Sequence, residues 1–267
     1  MTPSIILIRP QMGENIGAAA RAMANFGLSD LRLVAPRDGW PNPKASDMAG
    51  RALNLVDDAT LFEDTRAATA DCQFLLATTS RARAMNLPVM EPREAMAEIS
   101  KRMAGGQRCG ILFGPERTGL ENEEVVAANA VVTIPVAPEY PSLNLAQAVV
   151  ILGYEWRLSI NHEALSSLPQ RGGAGEGPLS VSGQRVNDVP LQTSLLQVEE
   201  PPAPRQLLDG LFDHLERALD DVNFWRVPEK KEIMWRNLRA ALTRAGLTEQ
   251  EIATWRGVVK ALSEKAS

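Results

Sequence analysis

The chain has 267 residues, with 28 lysines and arginines against 33 aspartates and glutamates and a formal net charge of −5. Hydrophobic residues make up 45% and charged residues 23%, the balance of a folded globular protein, which excludes wholesale disorder. No apolar run approaches the ~18 residues that a membrane helix needs. The opening MTPSIILIRPQMGE has no basic region ahead of an apolar stretch, so a cytoplasmic protein with no membrane attachment is expected.

Cys72 and Cys109 each sit in an apolar run (DCQFLL, RCGILF) and read as buried free thiols. With two histidines and two cysteines far apart, no zinc site is expected, and no other metal. The acidic balance argues against a general nucleic-acid-coating role but leaves room for local basic patches.

Short apolar runs alternate with helical patterns up to about residue 164. Ser4–Ile8, Leu31–Ala35, Phe74–Thr78, Gly110–Phe113 and Val131–Val136 read as strands, mostly too apolar to be half-exposed. Between and after them, Asn15–Phe26, Lys44–Leu55, Arg93–Met103, Asn122–Ala128 and Asn144–Ser159 read as helices. Strands separated by such helices predict an α/β fold with a mostly parallel sheet. Ligands bind such sheets beyond the C-terminal strand ends, so the loops there are where chemistry is expected.

From 165 to 204 the composition turns rich in Gly, Ser and Pro, which predicts a flexible linker between a first domain, 1–164, and a helical tail, 205–267. In the tail, Leu208, Leu211, Phe212, Leu215 and Leu219 form the stripe of one helix face. Two more helices are predicted near Glu229–Ala245 and Thr248–Leu262, the last opened by a Thr248/Glu251 capping box. Residues 1–164 carry 15 basic and 19 acidic side chains, whereas Arg226–Arg244 holds six basic against two acidic. Lys230, Lys231, Arg236, Arg239 and Arg244 are therefore the candidate RNA contacts, although such a run also suits a solvated helix face. Trp225, Trp235 and Trp255 are expected to fill the small helical core.

Three loop segments have chemistry unusual for plain connectors. In ENIGAAARAM, Asn15 can cap a helix, Gly17 and three alanines allow close backbone approach, and Arg21 sits on a small apolar helix, where it asks for an anionic partner. In LFGPERTGL, a buried strand ends at Gly114, which would let a ligand approach the backbone, and Glu116 and Arg117 lie in the turn beyond it. In IPVAPEYPSLNLAQA, three prolines stiffen a loop that delivers Ser142, a natural N-cap, and Asn144, which needs a hydrogen-bonding partner. A GxSxG nucleophile elbow, a P-loop and GxGxxG after a strand are all missing, so serine hydrolysis, nucleotide hydrolysis and nicotinamide chemistry are unsupported.

In this order and spacing the three segments resemble the three motifs of the SPOUT (trefoil-knot) RNA 2′-O-methyltransferases, over about residues 3–160. The wording of PEYPSLN, FGPERTGL and the helical tail is similar to the bacterial subgroup that modifies nucleotide 32 in the tRNA anticodon loop. The motifs are shared in part with enzymes acting on other tRNA positions and on ribosomal RNA. A non-catalytic RNA-binding protein of the same fold is the reading from another class.

The resemblance implies a parallel sheet flanked by helices with a deep C-terminal trefoil knot, a homodimer, tRNA as substrate and S-adenosylmethionine as methyl donor. It implies donor contacts from Thr78, Thr79 and Ser80, from Gly114, and from Ile134 through Pro141, Ser142 and Leu143. It places the catalytic Arg on Arg21, with Asn15, Glu116, Ser142 and Asn144 as the polar motif positions. Pro141 stands where relatives often carry Ser, so a side-chain hydroxyl is lost there.

Overall fold

The computed structural model describes residues 1–79, 87–140, 142–166 and 200–266. Its centre is a seven-stranded sheet in the order β3-β2-β1-β6-β4-β7-β5, parallel throughout. The strands are β1 (Ser4–Ile8), β2 (Asp30–Val34), β3 (Thr60–Phe62), β4 (Phe74–Thr78), β5 (Val89–Met90), β6 (Cys109–Phe113) and β7 (Ala130–Val132). Alternation along each strand fills two cores. Ile5, Leu7, Ile111 and Phe113 face one layer of helices, whereas Ile6, Ile8, Leu75 and Leu112 face the other.

The larger core lies under α1 (Gly13–Asn25), α2 (Pro43–Ala49), α5 (Pro92–Ala104) and α7 (Leu145–Ser166). The smaller lies under α4 (Thr65–Thr69) and α6 (Asn122–Ala127). Gly17 lets α1 and α2 approach closely, because a Cβ there would collide with the backbone of Ala45. The helix expected over 44–55 is interrupted: Gly50, at φ 56°, ends α2, and a 3-10 turn leads into α3 (Leu53–Asp57). The strand expected over 131–136 stops at Val132. Beyond it Thr133 bonds Met90 and Thr79 and the chain leaves the sheet before Pro135, which has no N–H to give.

Both cysteines are buried and free, as expected, and burial pushes each thiol up to about 12. Inside the body Arg32 is buried on β2 and forks to Asp30 and to Asp71, at 2.6 Å, and Asp71 also accepts from Arg108. Those hydrogen bonds, the one from Arg32 foremost, hold the Asp71 carboxyl well below the usual carboxylate range.

α7 continues to Ser166, two residues into the segment expected as linker; 167–199 lie outside the described residues. At the far end of that segment Ala203 is buried and donates to Leu247 O. The tail is α8 (Arg205–Asp221), α9 (Lys231–Ala245) and α10 (Glu249–Ala266), with the expected capping box between Thr248 and Glu251. It packs on the body: Arg205 and Gln206 donate backbone N–H groups to Cys72 O and Ala70 O, Asn129 donates to Thr243 O, and Arg66 pairs with Asp213. Leu208, Leu211 and Phe212 fill its core with Trp235, and Trp225 is buried beside them. Trp255 differs from expectation, being 42% exposed on α10.

Candidate active site

The loops that leave β4, β6 and β7 at their C-terminal ends enclose a cleft of about 350 Å³. One wall is Thr78 and Thr79, another is the turn from Gly114 to Gly119, and the third runs from Ile134 through Ser142 and Leu143 to the start of α7. Hydrogen bonds set these walls. Thr78 Oγ1 donates to Leu112 O (2.9 Å), Thr79 N to Val132 O (3.2 Å), and Thr133 Oγ1 to Thr79 O (3.1 Å). Thr78, Thr79, Gly114, Ile134, Ser142 and Leu143, predicted from separate parts of the chain, thus line one cavity. Ser80 and Pro141 lie outside the described residues.

Gly114 has a reason beyond the one its sequence suggested. A Cβ at that position would meet the backbone of Gly119 and Leu120, so the residue is small because its own loop folds back on it. Gly119 closes that turn at φ 67°, donating to Pro115 O at 2.8 Å.

A chain of hydrogen bonds joins the three motif segments at the lip of the cleft. Glu116 accepts from Gln11 N (2.9 Å) and from Asn15 Nδ2 (2.7 Å), and Asn15 Oδ1 accepts from Asn144 Nδ2 (3.1 Å). Asn144, not Ser142, caps α7: its Oδ1 accepts from Ala146 N, and Gln147 Oε1 accepts from Asn144 N. Asn15 caps nothing, because α1 begins two residues earlier, at Gly13, which frees its amide to bridge Glu116 and Asn144. Nearby, Glu14 lies below the usual carboxylate range through its own backbone hydrogen bond and Lys44 at 3.1 Å.

Arg21 stands apart from these groups. It is exposed on α1, does not line the cleft, and has no ion pair among the described residues. At 1.5 Å per residue it lies about 9 Å along the helix from Asn15, on another side of it. On α7, which packs against α1, Val150 (41% exposed) and Tyr154 (51%) are exposed, with Phe26 edge-on to Tyr154.

Residues 3–154 match the SpoU rRNA Methylase family, and residues 206–267 match the C-terminal domain of the tRNA methyltransferase TrmJ. The chain is 32% identical to the tRNA (cytidine/uridine-2'-O-)-methyltransferase TrmJ of Yersinia enterocolitica, over 98% of this chain and 91% of that one. The chain belongs to the SpoU methylase family, in its TrmJ branch.

A Pseudomonas aeruginosa member of the branch, named tRNA (cytidine/uridine/adenosine-2'-O-)-methyltransferase TrmJ, is 31% identical over 96% of this chain and 91% of its own. The crystal structure of TrmJ from Z. mobilis ZM4 superposes with a TM-score of 0.80 at 42% identity, covering 98% of this chain and 99% of that one. Parallel sheet, flanking helices and helical tail are therefore shared along the whole length of a TrmJ-branch protein.

Two of the five tail cations predicted for RNA do other work. Lys231 Nζ pairs with Asp220 at 2.7 Å and lies over Trp225, and Arg239 Nη1 pairs with Glu123 of the body at 2.9 Å. Their charges are answered within the chain. Arg236 is largely covered, with Glu232 at 4.0 Å, whereas Lys230 and Arg244 are exposed and unpaired among the described residues. The sequence also hid Arg9, which sits at φ 45° where β1 ends and pairs with Glu124 (2.6 Å) and Glu121 (3.1 Å) just beyond the second motif. Nothing in its local sequence marks it, because both partners lie more than a hundred residues away. Gln147, by contrast, was legible as the fourth residue of an Asn-x-x-Gln capping box.

Proposed function

We propose that the protein transfers a methyl group from S-adenosylmethionine to the ribose 2′-oxygen of a tRNA nucleotide, at position 32 of the anticodon loop. The observation that carries this reading is the hydrogen-bonded chain Gln11–Glu116–Asn15–Asn144, which fastens all three motif segments together beside the cleft. Membership of the SpoU family and the names of the TrmJ relatives support the chemistry and the tRNA substrate. Position 32 rests on the resemblance of the motif wording.

The cleft suits the donor in size and lining. Its volume is within the usual range for small-ligand sites, and its lining mixes apolar residues such as Phe113, Val132 and Leu143 with polar ones such as Thr78, Glu116 and Ser142. Thr78, Thr79, Gly114, Ile134, Ser142 and Leu143 would hold the donor. When bound, S-adenosylmethionine supplies a positively charged sulfonium methyl open to in-line attack, so no metal is called on. Glu116, Asn15 and Asn144 keep the loops in register, and orientation of this kind is worth up to roughly 7–11 kcal/mol of barrier. Arg21 holds a phosphate next to the target ribose and stabilises the 2′-oxygen as it loses its proton. A guanidinium stays protonated, so that proton passes to a phosphate oxygen of the RNA or to water.

Arg21 does this from the partner chain of a homodimer. Its distance from its own cleft and the exposed Val150 and Tyr154 beside α1 support that arrangement. Val149, Leu152 and Trp156 of α7 are buried in their own protomer, so the apolar surface that α7 leaves for a partner is that of Val150 and Tyr154. The trefoil threading belongs to the same reading, supported by the insertion of β6 between β1 and β4 and of β7 between β4 and β5. The tail holds the tRNA, through Lys230 and Arg244 first.

Mass spectrometry of tRNA and rRNA from a deletion strain, complemented with wild type or Arg21→Ala, tests the proposal. Loss of the 2′-O-methyl group at tRNA nucleotide 32, restored only by wild type, is expected. A missing group elsewhere would move the target. Unchanged RNA would leave an RNA-binding protein without this activity.

A further inference from the structure

The helix α6 has six residues, under two turns, and a helix that short has no stability of its own. Its placement matters because the cleft's second wall, Gly114 to Gly119, leads through Leu120 and Glu121 directly into it. Three anchors hold it. Leu120, Val125 and Val126 are buried. Glu121 and Glu124 form a capping box whose carboxylates are gripped by Arg9. On the outer side, Glu123 pairs with Arg239 of α9.

The third anchor comes from the tail, and the charges around it explain why. Two tail cations crowd one aromatic ring: the guanidinium carbons of Arg205 and Arg239 lie 6.0 and 5.4 Å from the centre of Phe212. Arg205 is answered within its own helix by Asp209, at 3.4 Å. Arg239 is only 21% exposed and its Nε is sealed without a partner, so the neutralising carboxylate arrives from the body, as Glu123. Removing Glu123 would leave a half-buried cation beside a second one.

We infer that Arg239 is a positioning residue for the methyl-donor loop: by holding Glu123 it fixes α6 and the exit of the Gly114–Gly119 wall. Full donor affinity then depends on the docked tail, and Arg239 is spent on this contact instead of on RNA. The inference rests on reading the cleft as the donor site.

Calorimetric titration of S-adenosylmethionine into the full-length protein tests it, together with hydrogen exchange over residues 114–127. Arg239→Ala and Glu123→Gln are each expected to weaken donor binding by about three- to tenfold and to speed exchange in that segment. The double variant should be no worse than the worse single, Arg239→Lys should recover most of the affinity, and the charge-swapped Arg239→Glu/Glu123→Arg should recover part of it. Glu123 is 57% exposed, so Glu123→Gln reports even if Arg239→Ala fails to fold. A wild-type protein that binds no donor would overturn the reading of the cleft, and this inference with it. Wild-type binding with folded variants that bind and exchange identically would overturn this inference alone.

Discussion

Gly114→Ala separates two reasons for a glycine at the end of a strand. If the residue is small so that a ligand can approach, one methyl group should weaken donor binding and leave the ligand-free protein untouched. The geometry says otherwise, because the added Cβ would run into the backbone of Gly119 and Leu120. A flexible side chain could swing away, but a turn held by Gly119 N to Pro115 O can relieve the clash only by opening. Overpacking of this kind costs about 1–3 kcal/mol. At 1.36 kcal/mol per tenfold, a loop that must be re-formed to bind the donor loses about five- to 150-fold in affinity. The ligand-free protein should melt roughly 2–12 °C lower, at about 2–4 °C per kcal/mol for a chain of this size class. Thermal melting without ligand, followed by calorimetry with S-adenosylmethionine, measures both. Gly114→Ala that melts like wild type without ligand would refute the loop-packing argument, whatever its affinity.

Asp71 is depressed by Arg32 and Arg108, so it stabilises the fold above its unfolded pKa of about 4, and that stability drains away as pH falls from there. Asp71→Asn should therefore lower stability at neutral pH and flatten the acid limb, which equilibrium unfolding between pH 7 and pH 3 would register. The proposed dimer predicts that Tyr154→Arg, which places a charge on the exposed face of α7, yields an inactive monomer in sedimentation; a stable, fully active monomer would refute shared sites. If the tail holds tRNA through Lys230 and Arg244, changing both to Ala should weaken tRNA binding and lower its salt slope by about 2 in filter binding, with donor affinity intact. An unchanged slope would show that these cations face only solvent.

Much of the fold was legible because it is written locally. Ile5–Ile8 and Cys109–Phe113 are continuous apolar runs, as strands buried on both faces must be, and β1 and β4 fall where the runs fall. The Thr248/Glu251 box named the start of the last helix, since capping is settled within four residues. The two-residue β5 was not legible, because an edge strand that short takes its pairing from β7 and not from its own pattern.

The family resemblance of the motifs also named several residues that line the cleft, yet three matters were decided only in three dimensions. Asn15, Glu116 and Asn144 meet because β6 inserts between β1 and β4, a neighbourhood that no run of adjacent residues encodes. Gly114 proves to be a packing constraint, which depends on where Gly119 returns. The basic run in the tail divides into exposed Lys230 and Arg244 and the committed Lys231 and Arg239. A sequence shows the sign of each charge, but whether that charge is spent depends on where the chain carries the opposite one.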